Sequence, residues 1–382
     1  MAAKRLSTTH PSEATPTWAK RESRAADGER AASEPHVSIV INNYNYGRYL
    51  GSAIDSALGQ DYGHVEVVVV DDGSSDESRT VIASYGNRIV AVEKLNGGQA
   101  SAVNAGFAAS RGDILMFLDS DDFLAPCAAT RVAHTFRQSP GLSKVHFRLT
   151  VVDEAAAPTG RVLPPRRLGL PSGDLRDALA GTRTYVTPPM SGNAYRRSAI
   201  AGQMPIPEET YRKGADEWLI CTAPLFGEVA AIDEELGSYR IHSSNVTHRD
   251  EIGDGERFAA HVEEGACLRR RQMELFDTLL HRRITAIAMR DLPHIRQLLA
   301  LRKLHPEHCR YDWSILALLV SGLRAAALAR NVRFADRVLW ALWFVAVATL
   351  PTWSVRPLIR AAFGGARRPL LLWLARGRRG RR

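Results

Sequence analysis

The chain has 382 residues, of which 45% are hydrophobic and 24% charged, a composition typical of a folded protein long enough for two domains. The formal net charge is +9, and the nine arginines between residues 356 and 382, a segment without acids, equal that whole surplus. The rest of the chain is therefore close to neutral. This argues against a nucleic-acid-binding core and favours an anionic membrane surface as the partner of the basic end.

The N-terminus and the cysteines indicate the compartment. Residues 1–34 lack the apolar segment of a signal peptide and show no hydrophobic periodicity, so we predict a disordered leader. The four cysteines are scattered and form no CxxC pair, which indicates neither a zinc site nor a disulfide framework. We interpret them as reduced thiols of a cytoplasmic protein.

Apolar strands alternate with helical segments from Val37 onwards. The predicted strands are VSIVI (37–41), VEVVVV (65–70), RIVAVEKL (88–95) and DILMFL (113–118). The predicted helices are YLGSAIDSALGQ (49–60), ESRTVIASYG (77–86), which Ser75 or Asp76 can cap, and GGQASAVNAGFAASRG (97–112). Because each strand is apolar throughout, the pattern predicts an α/β fold with a parallel sheet covered on both faces.

Unusual polar residues follow each predicted strand. The blocks are NNYN (42–45), DDGS (71–74), LNGG (95–98) and DSDD (119–122). Ligands of such sheets bind at the carboxyl ends of the strands, so these blocks should meet at one rim. Oxygen-only acids favour Mg²⁺ or Mn²⁺, ions that usually bridge substrate phosphates. The sequence therefore predicts a ligand that contains a diphosphate.

In this order and spacing the blocks resemble the inverting family-2 glycosyltransferases, which have the A-type glycosyltransferase (GT-A, Rossmann-like) fold. The likeness covers about residues 37–135 and continues more weakly to about 248. It implies a mostly parallel sheet in a catalytic domain over 35–250, with a nucleotide-sugar-binding half (35–135) and an acceptor half (136–250). It also implies metal-assisted transfer from a nucleotide-diphosphate sugar to a hydroxyl acceptor, such as an envelope glycan or a lipid-linked sugar.

The resemblance assigns roles at the donor site. Asn43 stands where the family often has Thr, but that position acts largely through its backbone. Asp121 is the implied metal ligand, with Asp119 and His242 as further candidates. The implied donor-binding residues are Asn43, Tyr44, Asn45, Asp71, Asp72, Asn96, Gly98, Gln99, Asn104, Asp119, Ser120 and Arg240.

The resemblance places the acceptor and the base in the second half. Inverting transfer is a single displacement, so a carboxylate must take the proton of the attacking hydroxyl. Asp216 occupies the base position of the family's "ED" helix, where Ala215 replaces the usual Glu, and Glu217 is the second candidate. The implied acceptor-site residues are Ser191, Gly192, Asn193 and Trp218.

Structural explanations compete with several of these roles. Asp71 directly follows a strand and can serve only to hold the turn, and the glycines of LNGGQASAVNAG (95–106) can serve close helix packing. An acid at the start of a helix, such as Asp216, is also favoured by the helix dipole. His242 can be a structural hydrogen-bonding residue. We expect Asp119 and Asp121 to be functional because both follow a buried strand.

Residues 251–382 are predicted to form a helical, basic C-terminal region. VLWALWFVAVATLPTWSV (338–355) has no charge over 18 residues, and Pro351 is expected to kink it. As a helix it would span ~27 Å at ~1.5 Å per residue, slightly less than a hydrocarbon core of ~30 Å. Three interpretations remain open: an in-plane anchor on anionic lipid, a tilted crossing, or a buried helical bundle or dimer surface.

Other function classes explain the sequence less well. A haloacid-dehalogenase-type phosphatase also has DxD after a strand, but it needs Thr or Val where Phe123 stands. A sugar nucleotidyltransferase requires a Gly-rich basic loop after the first strand, which NNYNYGRYL (42–50) is not. A non-catalytic scaffold of the same fold would not need the acids, and all of them are present here.

Overall fold

The computed structural model describes residues 34–182, 185–242, 253–280, 292–328 and 334–363. The predicted leader (apart from Glu34), the end of the weaker resemblance after His242 and the basic tail after Phe363 lie outside the described residues.

Within the described residues, nine strands form one sheet in the order β3-β2-β1-β4-β8-β6-β9-β5, and β7 pairs with β6. Strands β3, β2, β1 and β4 are parallel, and β6 is parallel to β9, whereas β8, β7 and β5 pair antiparallel with their neighbours. The strands are β1 Val37–Asn43, β2 Val65–Asp71, β3 Val90–Glu93, β4 Ile114–Asp119, β5 Phe123–Leu124, β6 Leu142–Val152, β7 Pro158–Leu163, β8 Asn193–Arg196 and β9 Glu228–Arg240.

Helices cover this sheet and continue beyond it. They are α1 Gly47–Leu58, α2 Ser78–Tyr85, α3 Gln99–Ala109, α4 Ala128–Gln138, α5 Arg176–Thr182, α6 Arg197–Ala201, α7 Ala215–Thr222, α8 Gly255–Leu280, α9 Leu292–Leu304, α10 Ile315–Leu328, α11 Phe334–Thr349 and α12 Thr352–Phe363. The predicted fold class, a mostly parallel α/β sheet followed by a helical region, is confirmed.

Two hydrophobic cores lie on the two faces of the sheet, because successive side chains of a strand point to opposite faces. In β1, Ile39 and Ile41 pack with α1 and α4, whereas Val40 packs on the opposite face with α3 and α7. Both faces of β1 are therefore buried, which explains why its sequence is apolar without alternation.

Small residues in α3 bring that helix close to the sheet. A Cβ atom added at Gly106 would lie 2.2 Å from Cγ1 of Val40. Close packing therefore explains this glycine, one of the structural explanations left open for the segment 95–106.

The third predicted strand differs from the expectation. RIVAVEKL was predicted as a buried strand, but β3 has only four residues and is largely exposed, with Val90 44% exposed. It lies at the edge of the sheet and pairs only with β2 among the described strands. An edge strand has one neighbour, so an apolar sequence alone did not establish its burial.

The C-terminal helices form a third core. Ile295 and Leu299 of α9 pack there with Leu318 of α10 and Phe344 of α11. Helix α8 belongs to two cores, because Leu268 packs in the sheet core that contains Val40 and Val262 packs with the C-terminal helices. The C-terminal helices are therefore attached to the sheet core through α8.

The uncharged stretch 338–355 is not one helix. It is divided between α11 and α12, which meet at Leu350 and Pro351. Among the described helices, none combines the length and the apolar character needed to cross a membrane.

Candidate functional site

The predicted rim of polar residues is present at the carboxyl ends of the parallel strands. Asn42 and Asn43 end β1, opposite Asp119 of β4 and Asp71 of β2 respectively. Asn42 Nδ2 donates to Asp119 Oδ1 (2.8 Å), and Asn43 Nδ2 donates to Asp71 Oδ1 (2.9 Å). The two neighbouring amides therefore fix an acid on either side of β1. Asn42 belongs to the NNYN block, but the sequence pattern assigns it no role.

Asp71 holds the turn after β2. Its buried carboxylate accepts from Asn43, and its Oδ2 accepts from the backbone N–H of Ser74 (3.0 Å). Asn45, at φ +55°, completes the turn by accepting from Ser75 N–H (2.7 Å). Tyr44 is 47% exposed beside them. The turn-holding explanation for Asp71 thus has direct structural support, while its role in donor binding stays a prediction.

Asp72 is bound by the loop between β3 and α3. Its Oδ1 accepts from Lys94 Nζ (2.7 Å) and Gly97 N–H (2.9 Å), and its Oδ2 accepts from Gly98 N–H (2.7 Å). Asn96 Nδ2 donates to the Asp72 carbonyl oxygen (3.0 Å). Lys94 is not among the predicted site residues, although it directly precedes the LNGG block. The buried carboxylate therefore organises the loop that bears several predicted donor-binding residues.

We predict that Asp72→Ala lowers the free energy of unfolding by about 2–4 kcal/mol, because several donors lose a buried charged acceptor. Urea unfolding followed by circular dichroism measures the change. Asp312→Ala, at an exposed position, serves as the control and should change stability little. If Asp72 only binds the nucleotide and does not stabilise the loop, the urea midpoint of unfolding of the ligand-free variant will equal that of the wild type.

The loop after β3 also reaches the helix that carries the base candidates. Gln99 Nε2 donates to Asp119 Oδ1 (3.3 Å), and Gln99 Oε1 accepts from Ala215 N–H (3.1 Å). Gly98 has φ +92°, and a Cβ atom there would lie 2.7 Å from the backbone of Arg212. The amide of Gln99 therefore links the end of β4 to the start of α7.

Asn104 faces a different segment. Its Nδ2 donates to the Ile206 carbonyl oxygen (2.9 Å) and to Glu208 (3.0 Å), and its Oδ1 accepts from Ile206 N–H (2.8 Å). These contacts hold the loop before α7 against α3. Its predicted place near the ribose stays untested.

The three acids after β4 repel one another. Burial, followed by the charge of Asp121, raises the pKa of Asp119 to about 7. The same two causes, in the same order, raise the pKa of Asp122 well above its usual range. Ser120, between them, is buried. Excess negative charge at this position is the electrostatic condition that a bound cation would relieve.

Asp122 is held by Ser191, which was predicted to line the acceptor site, and by Arg240, which was predicted to bind the donor. Its carboxylate accepts from Ser191 Oγ (2.6 Å) and from Arg240 N–H (2.9 Å), and Ser191 Oγ accepts from Asp119 N–H (3.2 Å). Asn193 is fully buried, and its Nδ2 donates to the Pro189 carbonyl oxygen (2.7 Å). Ser191 therefore supports the acidic loop (residues 119–122), and Asn193 holds the turn before β8. Direct contact of either residue with an acceptor remains a prediction.

Two more predicted acceptor residues are held by packing. A Cβ atom at Gly192 would lie 2.5 Å from Pro188, so no larger residue fits there without displacement. Trp218 is 4% exposed, and its Nε1 donates to the Gln203 carbonyl oxygen (3.0 Å). The indole is therefore part of the core beneath α7.

Arg240 and His242 close the other side of the acidic loop. The guanidinium of Arg240 donates to the carbonyl oxygens of Asp121 (2.8 Å) and Glu154 (2.9 Å). His242 Nε2 lies 3.0 Å from Asp121 Oδ2, and its ring packs on Tyr49 with centroids 4.8 Å apart. His242 is thus at the predicted metal ligand Asp121, and Tyr49 is a neighbour that no sequence motif indicated.

The base candidates lie in the first turn of α7. Burial, followed by the charge of Glu217, raises the pKa of Asp216 to about 6. The charge of Asp216 in turn contributes to the raised pKa of Asp119. Asp216 therefore lies within electrostatic reach of the acidic loop.

The carboxylates suit a divalent cation through their chemistry. Among the described residues, no group of three or more His, Cys, Asp and Glu side chains is arranged to hold a metal ion by itself. Mg²⁺ and similar ions usually need only one or two carboxylates, because water and substrate phosphates complete the coordination. Asp119 and Asp121 therefore fit such an ion.

Comparisons with known proteins relate this chain to glycosyltransferases. The family model described as glycosyl transferase family 2 matches residues 38–193. An uncharacterized glycosyltransferase of Nostoc sp. is 36% identical over 220 residues, which are 55% of this chain and 66% of that protein. One of Rickettsia prowazekii is 46% identical over 92 residues, which are 24% of this chain and 29% of that protein. The chain thus spans less than two thirds of the length of these relatives.

The solved structure of S. aureus TarS shares the fold. It aligns with a TM-score of 0.50 at 16% identity, over 79% of this chain and 54% of that chain. The family match covers β1 to the first residue of β8, and with it every strand end of the polar rim. Residues 38–193 are therefore identified as a glycosyl transferase family 2 domain.

Proposed function

We propose that the protein transfers a sugar from a nucleotide-diphosphate sugar to an acceptor hydroxyl, with inversion at the anomeric carbon. One observation carries this proposal: Gln99 donates to Asp119 at the end of β4 and accepts from the N–H of Ala215, the residue before Asp216 in α7. A base and a donor-binding acid on elements that one side chain links can act on one bound substrate.

Asp216 would accept the proton of the attacking hydroxyl. The oxygen of the acceptor forms the new bond to the anomeric carbon while the bond from that carbon to the diphosphate breaks, and the nucleoside diphosphate leaves. Because its pKa is raised to about 6, Asp216 is ionised at neutral pH and more basic than an exposed Asp. Glu217 contributes to this raised pKa.

Asp121 would hold Mg²⁺ or Mn²⁺, with Asp119 and His242 beside it. When bound, such an ion neutralises the charge that develops on the leaving diphosphate. Asn42 and Gln99 keep Asp119 in place for this role. The nucleotide part of the donor would lie against the carboxyl ends of β1 and β2. Asn43 Oδ1 is buried there and has no hydrogen-bond partner among the described residues.

The acceptor would approach Asp216 along α7. We propose an envelope glycan or a lipid-linked sugar as its class, and the cytoplasmic face of a membrane as the place of work. The support is the basic, apolar C-terminal region, since a lipid-linked acceptor is confined to that surface.

Incubation of the full chain with a panel of nucleotide sugars and Mn²⁺ tests the proposal. We expect metal-dependent release of nucleoside diphosphate with at least one donor, through transfer or slow hydrolysis. Hydrolysis of small phosphomonoesters that Asp72→Ala leaves unchanged would instead indicate a phosphatase and contradict the proposal.

The transfer rate should fall as the pH drops through about 6, because Asp216 with its raised pKa is then protonated and cannot accept a proton. Removing a neighbouring negative charge lowers this pKa, so Glu217→Gln should move the acid limb to lower pH. The pH profile of kcat/KM measures both effects. Glu307→Gln, at an exposed position in the C-terminal region, is the charge-matched control. An unchanged acid limb in Glu217→Gln would show that another group controls the profile.

A further inference from the structure

Helix α11 is apolar on two opposite sides. Trp343, Phe344 and Val347 are buried in the third core. On the other side Phe334 is 80% exposed and Leu342 62%, and Val338 and Val345 are also exposed. At 100° per residue these four positions fall within one side of the helix, away from the buried one. The exposed side is thus as apolar as a core-facing side.

Helix α10 presents a second apolar side next to it. Leu316 is 68% exposed and Val320 41%, while Leu318 is buried in the same core as α11. Helices α10 and α11 are in close contact, since a Cβ atom at Gly322 would lie 2.3 Å from the Phe344 ring. Both helices also pack on α9, so their exposed sides turn away from α9 together. We call Leu316, Val320, Phe334, Val338, Leu342 and Val345 the α10–α11 face.

The exposed charged residues on the helices that carry and follow this face are positive. In the described part of α10 to α12 the exposed charged residues are Arg324, Arg356 and Arg360, and the one acid, Asp336, is half-buried. Trp353 is 80% exposed at the start of α12, one turn from Arg356. Exposed apolar side chains, an exposed indole and flanking arginines are the features of helices that lie in a lipid headgroup layer.

We infer that the α10–α11 face lies in the plane of an anionic membrane, with Trp353 and the arginines of α12 at the headgroups. The positive charge of the exposed arginines favours anionic lipid over a second copy of this chain as the partner of the face. A second copy placed by a two-fold axis would set the same arginines against each other, and the described residues of α10 to α12 include no exposed acid to pair with them. Anionic lipid supplies the missing negative charge.

The inference rests on the proposed function only for its purpose, namely to bring Asp216 to a lipid-linked acceptor. Binding to vesicles needs no sugar donor. A protein that does not bind vesicles would therefore contradict only the membrane inference, and a protein that turns over no donor would contradict only the transferase proposal. Donor turnover with a water-soluble acceptor should be unaffected by changes on the face, since no residue of it belongs to the donor site.

The test is flotation of the full chain with vesicles of phosphatidylcholine alone or mixed with phosphatidylglycerol. The wild type should bind the mixed vesicles, and binding should weaken with salt. The combined change Phe334→Ser, Leu342→Gln and Trp353→Ser should lower the partition by about tenfold or more, because three exposed apolar groups no longer enter the lipid. The control changes Val90→Ser and Leu279→Ser, exposed apolar positions on β3 and α8, and should bind like the wild type.

A conservative variant makes the test independent of folding defects. Trp353→Phe keeps an aromatic side chain, and it should lose much of the fluorescence blue shift that the wild type shows on mixed vesicles. Three results would overturn the inference: equal binding to neutral and mixed vesicles, unchanged binding of the triple variant, or a wild-type dimer in solution that the triple variant dissociates.

Discussion

Asp121→Ala should lose metal-dependent binding of the nucleotide sugar by more than about 100-fold, since even loss of an outer-shell partner costs ~10–100-fold in metal affinity. Asp121 is the proposed ligand, and an ion that uses one or two carboxylates has few others to replace it. Isothermal titration calorimetry with the donor, with Mn²⁺ and with a chelator, measures the loss.

The same change should leave the ligand-free fold as stable as the wild type, or more stable. The negative charge of Asp121 contributes to the raised pKa of both Asp119 and Asp122. Its removal therefore relieves repulsion between buried acids. A lower affinity with an unchanged unfolding midpoint distinguishes loss of a ligand from loss of structure.

Asp312→Ala is the control for this experiment, because that acid is exposed and lies in the C-terminal region. Retention of metal-dependent affinity in Asp121→Ala would show that the ion binds elsewhere. If Mn²⁺ changes the affinity of neither protein for any donor, metal assistance itself is contradicted.

The parallel half of the fold could be predicted from the sequence because burial on both faces leaves a clear signal. β4 is a continuous apolar run, β1 and β2 are apolar except for Ser38 and Glu66, and each of the three ends at the polar block that the spacing indicated. The signal failed at β3, whose four residues lie at an edge of the sheet. Local sequence does not record how many neighbours a strand has.

The site could be predicted only at the level of which residues come together. Asn43, Asp72, Asp119 and Asp121 converge at the strand ends as predicted. Their partners did not follow from spacing, because contacts such as Lys94 with Asp72 or Ser191 with Asp122 depend on how distant loops return to the rim. Long-range geometry also decides that Asn193 is fully buried.

The C-terminal helices illustrate the same limit. An uncharged run of 18 residues is compatible with a crossing, an in-plane helix or a buried one. The structure divides it at Pro351 and buries one side of α11 against α9 and α10. A helix that is apolar all round gives no sequence signal for which side is buried, and so the exposed face became visible only in the fold.

Asp216→Asn should leave donor binding intact and reduce transfer by about 100- to 10,000-fold, the usual contribution of a general base. Asn has the same size and keeps an oxygen that can accept hydrogen bonds at the start of α7, but it cannot take the proton of the acceptor hydroxyl. Donor affinity by calorimetry and product formation in a single turnover separate the two effects.

Glu217→Gln is the matched control, one residue further along α7. It should retain most of the transfer rate at neutral pH, since its proposed effect is only on the pKa of Asp216. Persistent transfer in Asp216→Asn together with loss in Glu217→Gln would assign the base to Glu217.

The Asp216→Asn change should also affect the acidic loop (residues 119–122). The charge of Asp216 contributes to the raised pKa of Asp119, so this change should lower the pKa of Asp119. Metal affinity rises as a ligand loses its proton more easily. The variant should therefore bind Mn²⁺ and donor slightly better than the wild type at mildly acidic pH, although it no longer transfers the sugar.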